Sequence, residues 1–436
     1  MQSLASNSEL TIATVLADVA IVLIVGHLFG RWLRRMGQPV VIGEILAGIA
    51  LGPSLLGLLP GNPTEVIFPA AARPYLSAIS QVGLLLFMFL VGWEFDRRVV
   101  ARRKVMTLSV SLASIALAFT LGVGLASLIY ADHAMVAGKR VPFVVFALFL
   151  GAAMSITAFP VLARILKDRG LVNTEVGTLA LASAAIDDVL AWCILALVAA
   201  IAAARDGTDL IQIAALSLAY VAVMSAVVRP LLAAVVRRVA LLNRPANLAI
   251  FVAAGVFLSS FATTWVGIHA IFGAFAFGFI MPREPAEELR QQIREPFENI
   301  GMVLLPVFFI VTGLGVDIAS LTLANYVELS AIILVACVGK TIGAATPALA
   351  LGLPGRDART LGILMNTRGL TELIVLNVGV SLGVLDKQMF TMMVIMALVT
   401  TAMAGPLLPK LARTPPTGRV PGAPRDSLAA NAAKRT

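Results

Sequence analysis

The sequence predicts an all-α polytopic membrane protein of about 13 transmembrane helices, built as inverted repeats. Three observations carry that prediction. Of the 436 residues, 59% are hydrophobic and only 13% charged, with a mean hydropathy of +0.95; soluble domains run to about 25% charged and 45–50% apolar. The apolar residues gather into runs of roughly the 20 residues that a helix needs to cross hydrocarbon. The Lys and Arg residues collect in alternate connecting segments, as they do in polytopic proteins.

The runs follow in order. The first, 10–30, has no Lys or Arg before it and no small-x-small cleavage site after it, so it is expected to be a retained helix with its N-terminus outside. Runs at 39–59, 75–95 and 105–130 come next. The fifth, 142–166, is interrupted by "MSITAFPV", where Pro160 removes a backbone donor. The sixth, 174–204, contains "SAAIDDVLAW", and Asp187 and Asp188 are its only charged residues between Gly177 and Ala204. A seventh at 210–236 precedes an eighth and ninth, 246–265 and 267–282, divided only by a short turn near Trp265 to Gly267. The tenth is 297–316, and the eleventh, 325–352, holds Lys340. The twelfth, 358–383, is interrupted by "MNTRGLTEL", where Gly369 is a weak helix former, and the thirteenth is 387–409. Residues 1–412 are thus expected to form one membrane domain. The remainder, 413–436, is rich in Pro, Ala and Arg and is expected to be a disordered basic cytoplasmic tail.

The charge pattern orients the chain. With the N-terminus outside, 26 of the 33 Lys and Arg residues fall on the cytoplasmic side. Five (Arg73, Lys139, Arg140, Arg205 and Lys387) fall opposite, and two, Lys340 and Arg368, lie within the membrane. This bias accounts for the net charge of +9 without a nucleic-acid partner. Both cysteines, Cys193 and Cys337, sit in apolar runs and there are three His residues, so neither a disulfide framework nor a His-based metal centre is implied. No cofactor is expected. No nucleophile–base pair or phosphate loop stands out, which argues against an enzyme.

The buried polar residues converge in depth. At about 1.5 Å per residue, Asp187 and Asp188 lie about 20 Å from the cytoplasmic face, Lys340 about 18 Å, Arg368 and Glu372 about 15 and 21 Å, and Thr157 about 14 Å. Ionisable residues at that depth cost roughly 2.5–3.5 kcal/mol each on insertion scales and mark ion pathways or proton relays. The bland reading is a set of ion pairs holding helices together, and for Arg368 and Glu372, four apart on one helix face, it is the favoured one. Unwound backbone in a membrane is tolerated where it is buried in protein or lines a cavity. Runs 4–5–6 and 11–12–13 are triplets with a broken middle member. Their offset of seven spans makes them antiparallel, the inverted-repeat design of secondary transporters.

The phrases "GQPVVIGEILAGIALGPSLLG", "LLLFMFLVGWEFD", "SITAFPVLARIL", "AAIDDVLAW", "GIHAIFGAFAFGFIMP" and "NTRGLTELIVLNVG" resemble, in that order, the second monovalent cation:proton antiporter family. That family takes in bacterial Na+/H+ antiporters, Kef-type K+/H+ systems and plant cation/H+ exchangers, and the likeness covers residues 10–410. It implies the Na+/H+ antiporter-like fold, with the two broken helices crossing at their breaks. It also implies a scaffold and dimer unit (10–95 and 246–316), a mobile ion-translocating core (105–204 and 325–409), and a homodimer. Asp188 matches the carboxylate that binds cation and proton alternately. Asp187 matches a variable first position, and Lys340 a core lysine pairing with it. Arg368 and Glu372 match charges near the crossing.

The expected activity is secondary antiport of Na+ or K+ against protons by alternating access, in a bacterial plasma membrane. Cation and proton compete for Asp188, with Asp187, Ser155, Thr157 and freed carbonyls near Phe159 as further oxygen ligands. Asp187 is expected to release a second proton as its pair with Lys340 breaks. The Asp-Asp pair resembles Na+-handling members, whereas "AFPVLARIL" and "NTRGLTELIVLN" resemble the plant-type exchangers associated with K+, so the ion stays open. A sodium-coupled symporter of an organic anion is the alternative on a related inverted-repeat fold, and a channel a further rival. His269 is a lesser candidate, as are Glu44 and Asp18, acids that shape a funnel or support packing.

Overall fold

The computed structural model describes residues 2–94, 104–172, 174–204, 207–242, 245–282 and 287–408. It is helical almost throughout, and each of the thirteen apolar runs coincides with a helix or a pair of half-helices. α1 (Gln2–Arg35), α2 (Val40–Leu51), a short α3 (Pro63–Ile67) and α4 (Arg73–Glu94) open the chain. α5 (Lys104–His133) leads through a two-residue hairpin, Met135–Val136 against Lys139–Arg140, to the broken pair α6 (Phe143–Ser155) and α7 (Phe159–Asp168). α8 (Glu175–Ala203) carries the two aspartates. Then come α9 (Gly207–Val223), α10 (Arg229–Leu242), α11 (Pro245–Val266), α12 (Ala270–Ile280) and α13 (Glu287–Leu314). α14 (Leu323–Ala350), the second broken pair α15 (Gly355–Met365) and α16 (Leu370–Ser381), and α17 (Lys387–Leu407) complete the fold.

Among the described residues, 11 stretches are long and apolar enough to cross a membrane. α12, with 11 residues, is shorter, and the twelfth run is divided between α15 and α16. The expected tail, 413–436, lies outside the described residues.

Small residues set which helices touch. In lipid, helices gain from close van der Waals approach rather than from water expulsion. A Cβ added to Gly48 of α2 would strike the Ile310 carbonyl of α13, and one on Gly313 would strike the Ile45 carbonyl of α2. Gly92 of α4 and Gly278 of α12 meet each other's helix backbone in the same way, at Phe275 and Phe89. On the other side of the molecule Gly339 and Gly343 of α14 bring that helix against α5, where added Cβ atoms would lie 2.8 Å from Ala118 Cα and 2.7 Å from Ser114 Cα. Thus α2, α4, α12 and α13 pack together, and α5 packs with α14, α6 and α8.

Between α9 and α10 the chain makes a π-helical turn, Met224–Val228, in which the Arg229 N–H bonds the Met224 carbonyl five residues back. Pro230 follows at once and supplies no donor, so the widened turn sits where the regular ladder is broken. At the C-terminal end of α5, His133 is buried between two carboxylates, Nδ1 2.6 Å from Asp386 and Nε2 3.1 Å from Glu328. Asp386 also caps α17 by accepting from the Met389 N–H at 2.7 Å.

Candidate ion-binding site

Consecutive residues on a helix project about 100° apart, and Asp187 and Asp188 consequently face different surroundings. Asp187 is fully buried and neutralised. Lys340 Nζ lies 2.7 Å from its Oδ2, the Ser111 hydroxyl donates to Oδ1 at 2.5 Å, and the Thr157 hydroxyl donates to Oδ2 at 3.0 Å. The ammonium of Lys340 places its other donors on the Ser155 carbonyl at 2.8 Å and the Ser114 hydroxyl at 3.2 Å. All three of its N–H bonds therefore have acceptors, the condition under which a buried pair tolerates desolvation.

Asp188 has no cationic partner among the described residues. The Phe159 backbone N–H faces it from the start of α7, and the Thr371 hydroxyl lies 3.5 Å from Oδ1 at the start of α16. It is 6% exposed, and that exposure opens into a cavity of about 700 Å³ whose wall also carries Glu44, Arg164, Arg294 and Glu298.

The broken helices explain why the backbone can be open here. The two breaks meet: the Ala158 N–H bonds the Thr367 carbonyl at 3.1 Å, and the Thr157 hydroxyl bonds the Met365 carbonyl at 2.8 Å. Carbonyls at the C-terminal end of α6, which carry the negative end of its dipole, receive cations. Arg368 Nη1 bonds the Ala153 carbonyl at 2.9 Å and Nη2 the Met154 carbonyl at 2.5 Å, while Lys340 takes Ser155. The positive N-terminal ends of α7 and α16 are left for Asp188, which suits a carboxylate. Arg368 also holds Glu372 at 2.9 Å, with both side chains fully buried.

The structure brings together Asp187, Thr157, Ser155 and Lys340, sets Arg368 and Glu372 alongside, and gives Asp188 its own wall. Thr157 and Ser155 were expected beside Asp188. Instead Thr157 is committed to Asp187 and the Met365 carbonyl, and the Ser155 hydroxyl donates to the Ala152 carbonyl at 2.8 Å. The change of side follows from the step of about 100° between the two aspartates and from Lys340, which bonds both Asp187 and the Ser155 carbonyl at the break. Glu44 shares the cavity with Asp188, Asp18 is buried in α1, and His269 caps α12 by accepting from the Ile271 N–H at 3.5 Å. Sequence reasoning passed over Ser111, Ser114 and Thr371. Ser111 and Ser114 stand three apart on one face of α5, a spacing that offered a signal, but serines in apolar helices also bond their own backbone.

Comparison with known proteins agrees with this architecture. Residues 19–414 match the family model described as the transmembrane sodium/hydrogen exchanger. The Na(+)/H(+) antiporter NhaS4 of Synechocystis sp. is 39% identical over 408 residues, which are 93% of this chain and 98% of that protein. The K(+)/H(+) antiporter 1 of Saccharomyces cerevisiae is 33% identical over 92% of this chain, which spans 46% of the yeast protein. In fold, the chain superposes on the sodium proton antiporter MjNhaP1 from Methanocaldococcus jannaschii with a TM-score of 0.64 at 14% identity, covering 92% of this chain and 99% of that one. Matched along almost its whole length, this integral membrane protein belongs to the transmembrane sodium/hydrogen exchanger family.

Proposed function

We propose that the chain is a secondary antiporter that exchanges Na+ or K+ for protons by alternating access, with cation and proton competing for Asp188. The observation that carries this reading is the unlike treatment of two adjacent carboxylates. Asp187 has a lysine and two close hydroxyl donors, whereas Asp188 meets only a backbone N–H, a distant hydroxyl and the cavity. A carboxylate in that position holds its negative charge poorly unless a proton or a metal cation neutralises it. The two occupants offer the same charge, so binding one displaces the other. If the core reorients only when Asp188 is neutralised, coupled exchange follows with no leak of either ion.

In this reading α5–α8 and α14–α17 form the mobile core, two triplets inverted relative to one another, while α1–α4 and α11–α13 form the scaffold. A second copy of the chain packs on that scaffold. The N-terminus lies outside and the C-terminus in the cytoplasm of a bacterial plasma membrane. The organic-anion symporter finds no support among the relatives, which are named as cation/proton antiporters. Dye-monitored proton flux in proteoliposomes with an acid interior tests the proposal. Addition of Na+ or K+ alkalinises the lumen with wild type and fails to do so with Asp188→Asn. Exchange that survives Asp188→Asn at full rate would reject the role of Asp188.

A further inference from the structure

A second cavity, of about 780 Å³, lies between α8, the α9–α10 helix and α12. One wall is a polar stripe. Ser225, Arg229, Ala233 and Arg237 follow one another at intervals of four residues, which places them on a single helix face. The facing wall is apolar and includes Val189 of α8 and Phe275 and Phe279 of α12. Among the described residues, no acidic residue lines this cavity and neither arginine has an ion pair or side-chain hydrogen bond. Both arginines are exposed to it rather than packed away.

Arg237 stands near the end of α10, and Arg229 is eight residues, or about 12 Å, deeper in the helix. A guanidinium at that depth without an anion is costly. The geometry supplies the means of lowering the cost: two forked donors on one helix face, with alanine between them leaving room for an oxyanion to sit against both. The volume falls within the roughly 300–1,000 Å³ of small-molecule sites. Its composition, cationic along one edge and aromatic and aliphatic across the other, matches a molecule that is anionic at one end and hydrocarbon at the other. The outer faces of the same helix expose Leu218, Val223, Val227 and Leu231, so the cavity adjoins the region where such molecules are found.

We infer that this cavity is a binding site for an anionic phospholipid, its phosphate held by Arg229 and Arg237 and one acyl chain lying along Phe275 and Phe279. Basic pockets between transmembrane helices bind anionic headgroups on the cytoplasmic side. The position gives the lipid leverage on transport: Val189, adjacent in sequence to Asp188, and Phe275 form part of both this cavity and the one that opens to Asp188. A lipid seated here braces the partition between the two.

The test is lipid retention, which is independent of ion exchange. The purified protein is exchanged into detergent with phosphatidylglycerol or phosphatidylcholine, and bound lipid is counted by native mass spectrometry. Three variants accompany wild type. Arg229→Gln with Arg237→Gln removes the headgroup contacts, and Ala233→Trp fills the cavity while keeping both arginines. Lys104→Gln with Arg359→Gln removes the same charge elsewhere. Melting in phosphatidylcholine verifies that each is folded. Wild type and the Lys104/Arg359 variant should retain phosphatidylglycerol in preference to phosphatidylcholine. The other two should retain it at least about tenfold less, the arginine variant through loss of one or two charge-assisted contacts and Ala233→Trp through steric exclusion of the lipid. Equal retention by all four proteins would overturn the inference and leave the arginines as general interfacial anchors. Displacement of phosphatidylglycerol by inorganic phosphate alone would overturn it in favour of a free-anion site.

Discussion

Replacing Lys340 by Met takes away the only cation that contacts Asp187 among the described residues and leaves the carboxylate fully buried. Breaking a buried ion pair by removing one member costs about 3–5 kcal/mol, because the survivor keeps its charge without compensation. Asp187 would still accept from Ser111 at 2.5 Å and Thr157 at 3.0 Å, so the expected loss for Lys340→Met is at the lower end, about 3 kcal/mol. Asp187→Asn strands the ammonium instead. It retains the Ser155 carbonyl and the Ser114 hydroxyl but no counter-charge, and about 4 kcal/mol is expected. The double variant removes both charges at nearly constant volume and should fall within about 1 kcal/mol of wild type. Unfolding in mixed micelles, followed by tryptophan fluorescence for the four proteins, measures the cycle. The two single losses add to about 7 kcal/mol, so the double variant should lie several kcal/mol above additivity. A double variant as unstable as the sum of the singles would refute the argument, and would mean that each side chain is held by its other neighbours and not by its partner.

Other outcomes follow from the same geometry. Voltage-sensitive dye in proteoliposomes should record a potential during exchange by wild type and none with Asp187→Asn/Lys340→Met, if Asp187 gives up a second proton when its pair opens; an undiminished signal would assign Asp187 a static role. His133→Ala leaves Asp386 and Glu328 facing a shared space without the imidazole between them, and a loss of about 2 kcal/mol is expected. Part of it should return on adding Glu328→Gln, as read by thermal melting. Gly278→Leu should prevent folding, because its side chain would enter the Phe89 backbone. Gly124→Ala meets nothing within 4 Å and should leave melting unchanged or raise stability by up to about 1 kcal/mol through helix propensity. Expression and gel-filtration profiles of this pair check both.

The legible part of the structure was what composition and local chemistry control. Apolar run lengths located the helices, and "MSITAFPV" and "MNTRGLTEL" located both breaks, because a missing donor and a weak helix former act on their own chain. Lys340 was matched to Asp187 through the family resemblance, and the two stand 2.7 Å apart. What was hidden depended on rotation and on distant partners. Thr157 and Ser155 were expected as further ligands of a cation at Asp188, but a one-residue step on α8 turns the side chain by about 100°; Thr157 reaches Asp187 and the Ser155 hydroxyl turns back to the Ala152 carbonyl. Arg368 was read as the partner of Glu372, which it is, but its two bonds to the end of α6 join positions more than 200 residues apart. The clasp at His133 was missed for the same reason, its carboxylates coming from α14 and from the start of α17. The polar stripe of α10 was counted only as positive charge near a membrane face.

The glycine contacts of α2 with α13 and of α4 with α12 have a mechanical consequence. Where two backbones touch, there is no side chain left to compress, rotate or exchange for a smaller rotamer. Such a seam transmits a push and absorbs none of it. By contrast, the wall that Asp188 faces is built of long side chains, Phe87, Phe275, Met302 and Phe309 among them, which can trade rotamers and fill a changing gap. Under the proposed alternating access, travel of the aspartate relative to α2, α4 and α13 would be taken up along the surface of that cavity, with the glycine seams behind it as the stiff wall.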